Sequence, residues 1–290
     1  MIPPPEIIPE PDISFCLADG ADAVALGRWL AALAEEAGPV DYETIVVGDH
    51  LSETDNRALK QDFPEIVFYQ TPLTTWGANI NHALRIAKGR YLAPWSATVY
   101  PLAGCLPTLV EFLDEATETG LAAPRLVDEA GVTLASARRQ PGLLTLLALH
   151  SGPWNNSPDP AANEAPPRPP TVAALIASLA APLFRRHFYA DQPLLAEFEA
   201  EYLSGRALLI RREALEEVGF LDQGFATLYA DADYCRRLAR HGWHLHYLAG
   251  ALARDLLPDQ HRPDYLARHP PPRRGGDITR YLLKKWLNIS

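Results

Sequence analysis

The sequence has no excess of positive charge. Its 36 Asp and Glu outnumber 26 Lys and Arg, giving a formal net charge of −10 over 290 residues. A broad surface for the nucleic acid backbone is argued against on that ground. Cysteine is scarce: Cys16, Cys105 and Cys235 are far apart, odd in number and without CxxC spacing. Neither a disulfide framework nor a zinc knuckle is indicated, and a reducing cytoplasm is the expected setting. Long apolar runs are missing too. The most apolar segment, TVAALIASLAAPLF at 171–184, has about half to two-thirds of a spanning length and contains Pro182, so it is expected to form a buried or interfacial helix. The start, MIPPPEIIPEPD, lacks a basic region followed by an apolar core, and its prolines favour an extended tail. Finally, residues 89–110 contain no Asp or Glu.

What is present is a hydrophobic content of 48%, enough to bury a sizeable core. ISFCLA at 13–18 predicts a buried strand, followed by a helix with Leu26, Trp29, Leu30 and Leu33 on one face. ETIVVGD predicts a second strand, followed by a polar helix near 53–61, the strand IVFYQ, a helix over about 78–88 and the strand RYLAPW. This alternation predicts an α/β fold with a mixed, mainly parallel, Rossmann-like sheet covered by helices on both faces. Ligands of such sheets sit at the carboxyl ends of the strands, which places Asp19, Asp49 and Ser96 near one crevice.

The richest stretch is 201–248, EYLSGRALLIRREALEEVGFLDQGFATLYADADYCRRLARHGWHLHYL. It combines a strand, a helix, an acidic turn and a second helix. The Asp residues of ADADYCRR suit a helix N-terminus, where carboxylates cap free amides. Yet the SG, RREAL, EEVG and HGW elements together resemble the family 2 glycosyltransferases of the rhamnosyltransferase-like kind, which have a GT-A fold. The phrases ISFCLADGA, ETIVVGDHLSETD and LRIAKGRYLAPWSATVYPLAGCL extend that resemblance to about residues 12–255. It is weakest over about 153–199.

The resemblance implies inverting transfer of a hexosyl or deoxyhexosyl group from a nucleoside-diphosphate sugar to a glycan or lipid-linked acceptor. Asp231 falls on the family's general base, with Asp19, Asp49, Ser96 and Thr98 on the nucleotide side and Asp233, Trp154 and Gly205 on the acceptor side. Several positions depart from the pattern. Ala230 replaces the Glu before the base, and Gly48 replaces an Asp that contacts the nucleotide base. Ser96, Ala97 and Thr98 stand in place of the acidic motif that holds magnesium or manganese. Asp255 stands where the family often has a His, and is a weak candidate ligand if a metal binds at all. Deleting a metal removes charge that offsets the departing diphosphate, so a cationic side chain is expected to substitute. Arg90, Arg254 and the pair Arg138 and Arg139 are the candidates, each also readable as an ordinary surface charge.

Two further patterns carry alternatives. His244 and His246 share a strand face, which permits metal ligation but equally suits solvent-facing histidines. In GDITRYLLKKWLNIS, Ile278, Leu282, Leu283, Trp286 and Leu287 form a helical stripe beside Arg280, Lys284 and Lys285; it suits either a helix packing on its own domain or peripheral contact with anionic lipid at the inner face of the membrane. The proline-dense stretch 152–170 predicts a loop, with Trp154 either anchoring it or stacking on a sugar. The expected organisation is a tail at 1–11, a transferase domain at 12–256 with an acceptor-side insertion at about 151–200, and a C-terminal extension at 257–290. The rivals to an enzyme are a non-catalytic scaffold that retains the fold, and a carbohydrate-binding module that needs no nucleotide.

Overall fold

The computed structural model describes residues 10–18, 21–48, 51–72, 75–146, 182–183, 185–189, 192, 195–225, 229–256 and 274–287. The first half alternates as the apolar periodicity predicts: β1 (Ile13–Leu17), α1 (Ala23–Glu36), β2 (Tyr42–Val47), α2 (Glu53–Asp62), β3 (Val67–Tyr69), α3 (Trp76–Ile86) and β4 (Tyr91–Pro94). Then follow β5 (Val99–Pro101), α4 (Cys105–Glu115), β6 (Thr119–Val127), β7 (Ala137–Arg138), β8 (Phe198–Glu199), β9 (Tyr202–Leu203) and β10 (Leu209–Arg211). The chain continues through α5 (Arg212–Val218), α6 (Ala230–Arg240), β11 (His244–Asp255) and α7 (Arg274–Leu287).

Helix starts are set by side chains that satisfy free amides. Asp22 accepts from Ala25 N at 2.8 Å, Ser52 and Asp55 form a reciprocal capping box, and Thr75 accepts from Ala78 N. The RREAL arginines work at helix ends of the opposite kind. Arg211 donates to the carbonyls of Leu113, Ala116 and Thr119 at the end of α4, and Arg212 to those of Ala87 and Gly89 at the end of α3. Cations there meet carbonyls left over by the helix and the negative end of its dipole.

The large sheet runs β3-β2-β1-β4-β10-β6-β11-β5, with β8 also on β11. β1, β2, β3, β4, β6 and β11 share one direction, while β5, β8 and β10 oppose it. Both faces are dry. Ile13, Phe15 and Leu17 pack with α1 and α4, whereas Cys16, Ile45, Val47 and Leu92 pack with α3 and α6. Burying each such aliphatic or aromatic side chain contributes roughly 1.5–3 kcal/mol, which explains why the parallel strands read as nearly unbroken apolar runs. The four apolar residues expected on α1 are all buried.

This sheet delivers several chain ends to one place. β4 hands over directly to Ser96; β5 and β11 pair antiparallel with Asp255 opposite Val99, and Leu256 N donates to Thr98 O. Behind them, the indoles of Trp29 and Trp95 both donate to Val99 O at 2.7 Å, and Phe15 packs edge-on against both rings. The turn that carries Ser96, Ala97 and Thr98 is thus held from its inner side.

Candidate active site

Asp231 occupies the first turn of α6, after Tyr229, which adopts a left-handed backbone conformation with φ of 66°. Such a conformation is costly for a bulky residue and tends to be retained where a turn must aim side chains. Three donors orient the Asp231 carboxylate. Oδ2 accepts from Gly205 N at 2.8 Å and Tyr202 Oη at 3.1 Å, and Oδ1 from Ala232 N at 2.9 Å. Burial, then the neighbouring Asp231 charge, pushes the Tyr202 hydroxyl well above its ordinary pKa, keeping it a donor. Asp231 remains partly exposed.

Gly205 is needed there. A Cβ at this position would lie 2.9 Å from the Trp76 ring and 3.3 Å from Asp231 Cβ, so only glycine lets these groups meet. Trp76, at the start of α3, is a site residue that the sequence reading did not single out. Its only local signal was a position one residue past the Thr75 cap.

Asp233 corrects the acceptor-side expectation. It is fully buried, and Arg237 Nε (3.0 Å), Arg236 Nη2 (3.0 Å) and Lys284 Nζ (3.4 Å) converge on it. Arg237 also donates to Val218 O and Phe220 O. The two acids of one turn have therefore separated, one toward the partly exposed Gly205 and one into the core.

On the other side of Gly205, Arg206 joins the site. Its backbone carbonyl accepts from Ser96 N at 2.9 Å. Its guanidinium spans both oxygens of Asp255, with Nε on Oδ2 at 2.9 Å and Nη2 on Oδ1, and Nη2 also donates to Thr98 Oγ1. Thr98 Oγ1 in turn lies 3.0 Å from Ser96 Oγ and 3.3 Å from Asp255 Oδ1. Ser96, Thr98, Gly205, Asp231 and Asp255 are thereby brought into one connected cluster. Asp19, Asp49 and Trp154 lie outside the described residues, as do residues 1–9 and most of the expected insertion.

A divalent cation does not fit the described donor set. Ser96 and Thr98 offer hydroxyls, and the carboxylate beside them, Asp255, already gives both oxygens to Arg206. Hard cations need more free oxygen ligands than this. Among the described residues no group of three or more His, Cys, Asp or Glu side chains is placed to hold a metal. The weak assignment of Asp255 as a metal ligand is corrected to a partner of Arg206.

Of the cation candidates from sequence, only Arg138 borders the Asp231 side, and none joins the Ser96 and Thr98 turn among the described contacts. Arg90 pairs with Asp12 and Asp114, and Arg254 lines a recess of about 390 Å³ with Glu35, Glu36 and Glu129. Arg138 lies over the Tyr202 ring at 5.6 Å and Arg139 over Tyr189 at 4.2 Å. Arg206, directly after the SG element, was not singled out in the sequence, and its contacts there are with residues far away along the chain. His244 bonds Glu199 at 2.9 Å and His246 bonds Thr119 at 3.1 Å, at the end of β11 away from Asp255. All three cysteines are buried, which pushes their thiols upward, Cys105 to about 12.

The terminal helix α7 packs behind this turn. Tyr281 is fully buried and donates to Gln140, whose amide donates to Ala232 O at 2.9 Å. Arg280 and Lys284 bind Asp222, and Lys285 binds Pro141 O. The stripe expected to meet lipid is thus divided: Ile278 and Leu282 pack on the core, Leu283 and Leu287 are exposed, and the cations serve the domain itself. No described helix is long and apolar enough to cross a membrane.

Comparison with known proteins adds to this geometry. Residues 169–269 match the family model described as Glycosyltransferase like family 2. No curated protein matches the chain in sequence. Among solved structures, GalNAc-T7 with UDP, GalNAc and Mn2+ superposes with a TM-score of 0.57 at 13% identity, over 86% of this chain and 44% of that one. The mannosyltransferase PcManGT of Pyrobaculum calidifontis, in complex with GDP-Man and Mn2+, gives a TM-score of 0.57 at 17% identity, over 96% and 65%. TarS 1–349 of S. aureus gives 0.52 at 12%, over 84% and 60%. The chain spans less than two-thirds of the length of each of these three. Its mainly parallel sheet and flanking helices are therefore those of the GT-A glycosyltransferase fold, and across residues 169–269 it carries the match to glycosyltransferase like family 2.

Proposed function

We propose that this chain transfers a hexosyl or deoxyhexosyl group from a nucleoside-diphosphate sugar to a hydroxyl of a glycan or lipid-linked acceptor, with inversion and with Asp231 as general base. The observation that carries this reading is the Asp231 carboxylate, aimed by Tyr202, Gly205 and Ala232 yet still partly exposed. A carboxylate so fixed can take the acceptor proton while the acceptor oxygen bonds to the anomeric carbon. The bond from that carbon to the diphosphate breaks, its electron pair leaving with the nucleoside diphosphate. Trp76, over Gly205 and beside Asp231, supplies an apolar wall that narrows access of water.

The test is Asp231→Asn, with acceptors first found by mass-spectrometric screening of glycans and lipid-linked sugars against several donors. The amide keeps the size but cannot accept the proton, so transfer is expected to fall by about two to four orders of magnitude with folding and donor binding retained. Equal transfer by both proteins refutes the base assignment. The replacement of the acidic motif by Ser96, Ala97 and Thr98 favours a second reading, a non-catalytic scaffold of the same fold. Absence of both nucleotide binding and transfer across a broad panel decides for it.

A further inference from the structure

We propose that the Arg206 guanidinium, seated by Asp255 and Thr98, is the anchor for the donor's diphosphate and supplies directed hydrogen-bond donors in place of a divalent ion. This rests on the transferase reading above. Position is the first argument. Gly205 and Arg206 are consecutive; the amide of the first binds Asp231, and the carbonyl of the second binds Ser96. The base and the turn that replaces the acidic motif are thus linked through one peptide segment, and Arg206 projects from it.

The second argument is orientation. Asp255 is almost fully buried, and its side chain is 2% exposed against 31% for Arg206. A buried carboxylate needs a partner, and the side-on pair provides one while fixing the plane of the guanidinium. Nε and both Nη2 hydrogens are consumed by Asp255 and Thr98. Of the five donors of an arginine, the two on Nη1 are left, without a partner among the described residues. They diverge from one nitrogen, so each can donate singly to a phosphate oxygen, one on each phosphoryl group or one to water.

The third argument is charge. Arg206 and Asp255 form a formally neutral pair, so net attraction is not what holds an anion there. Directed donors are. Ala97, Trp95 and Ala207, all buried, keep the surroundings poor in water, where such hydrogen bonds are strengthened. As the bond to the anomeric carbon breaks, the negative charge that develops on the leaving phosphate meets donors already in place. The only proton that moves is the one received by Asp231. Nothing dissociable is required.

The experiment is calorimetric titration of uridine, thymidine and guanosine diphosphates, and of the matching monophosphates, in chelator and again with manganese. Wild type is compared with Arg206→Met, Arg206→Lys and the double variant Arg206→Met with Asp255→Asn. The double variant avoids leaving a buried unpaired carboxylate, so it reports on binding even if Arg206→Met folds poorly. Wild type is expected to bind at least one diphosphate in chelator, with less than about a twofold gain from manganese; Arg206→Met and the double variant lose about ten- to a hundredfold, while monophosphate affinity changes less than about twofold. Arg206→Lys is expected to fall between, because it keeps the charge but not the side-on pair with Asp255 that fixes where the remaining donors point. Unchanged diphosphate affinity in a folded double variant, a large manganese-dependent gain in wild type, or no diphosphate binding by folded wild type overturns the proposal. The two readings fail separately: transfer that needs Asp231 with binding indifferent to Arg206 sinks the anchor alone, and the reverse pattern sinks the base alone.

Discussion

Two Arg–Asp pairs lie close to Asp231, and they have been finished differently. In the Arg237–Asp233 pair the arginine is 7% exposed, its three nitrogens reach Asp233, Val218 O and Phe220 O, and Arg236 and Lys284 add to the same carboxylate. In the Arg206–Asp255 pair the carboxylate is equally hidden, but the arginine is 31% exposed and keeps Nη1 free of partners among the described residues. A buried ion pair gives little net stability by itself, so what distinguishes the two is what remains unspent. The first closes a core; the second leaves donors at a partly exposed surface.

The largest effect expected from this contrast is on the closed pair. Asp233→Ala strands two arginines and Lys284 around a lost carboxylate, and about 3–5 kcal/mol of folding stability is expected to go with it. Urea denaturation measures this. A loss below about 1 kcal/mol makes Asp233 no more than a surface-like pair and erases the contrast.

Gly205→Ala probes the open side. The added methyl meets the Trp76 ring and Asp231 Cβ, and overpacking of this kind costs about 1–3 kcal/mol, which is expected to displace the base and lower transfer by roughly ten- to a hundredfold. Wild-type turnover in this variant removes Trp76 from the wall of the site.

The smallest effect concerns pH. Asp222 extends the closed network to α7; burial raises its pKa, but hydrogen bonds from Arg280, Lys284 and Gly224 N outweigh that and hold the carboxyl well below its usual range. Because the folded pKa is the depressed one, its contribution is full above the unfolded value of about 4 and is lost as pH falls from there through the folded value. Protection of the α7 amides, measured relative to intrinsic exchange at each pH, is expected to fall between pH 5 and the acid limit, and to be less pH-dependent in Asp222→Asn. Equal α7 protection at pH 6 and at about pH 2 breaks the assignment.

The alternation of β1 to β4 with α1 to α3 was legible because strand and helix periodicities are local, and residues such as Leu26 and Trp29 need only one face to be buried. Asp231 was reachable through resemblance, its neighbours being contiguous in sequence. Arg206 was not. Its partners are 49 and 108 residues away, on β11 and on the turn after β4. Two departures, Asp255 for His and Thr98 within the former acidic motif, make physical sense together once Arg206 is seen to bond both. The same limit applied to α7, whose amphipathic stripe did not reveal that Lys284 and Arg280 find Asp222 some sixty residues earlier.

The carbonyl of Val99 receives two indoles, one from α1 and one from the residue before Ser96. Both of its lone pairs are committed, so α1 cannot slide along the sheet, nor the turn tilt, without giving up a bond. Mechanically these parts form a single anvil. A substitution at Trp29 would then be felt at Ser96, with the Val99 carbonyl as the link between them.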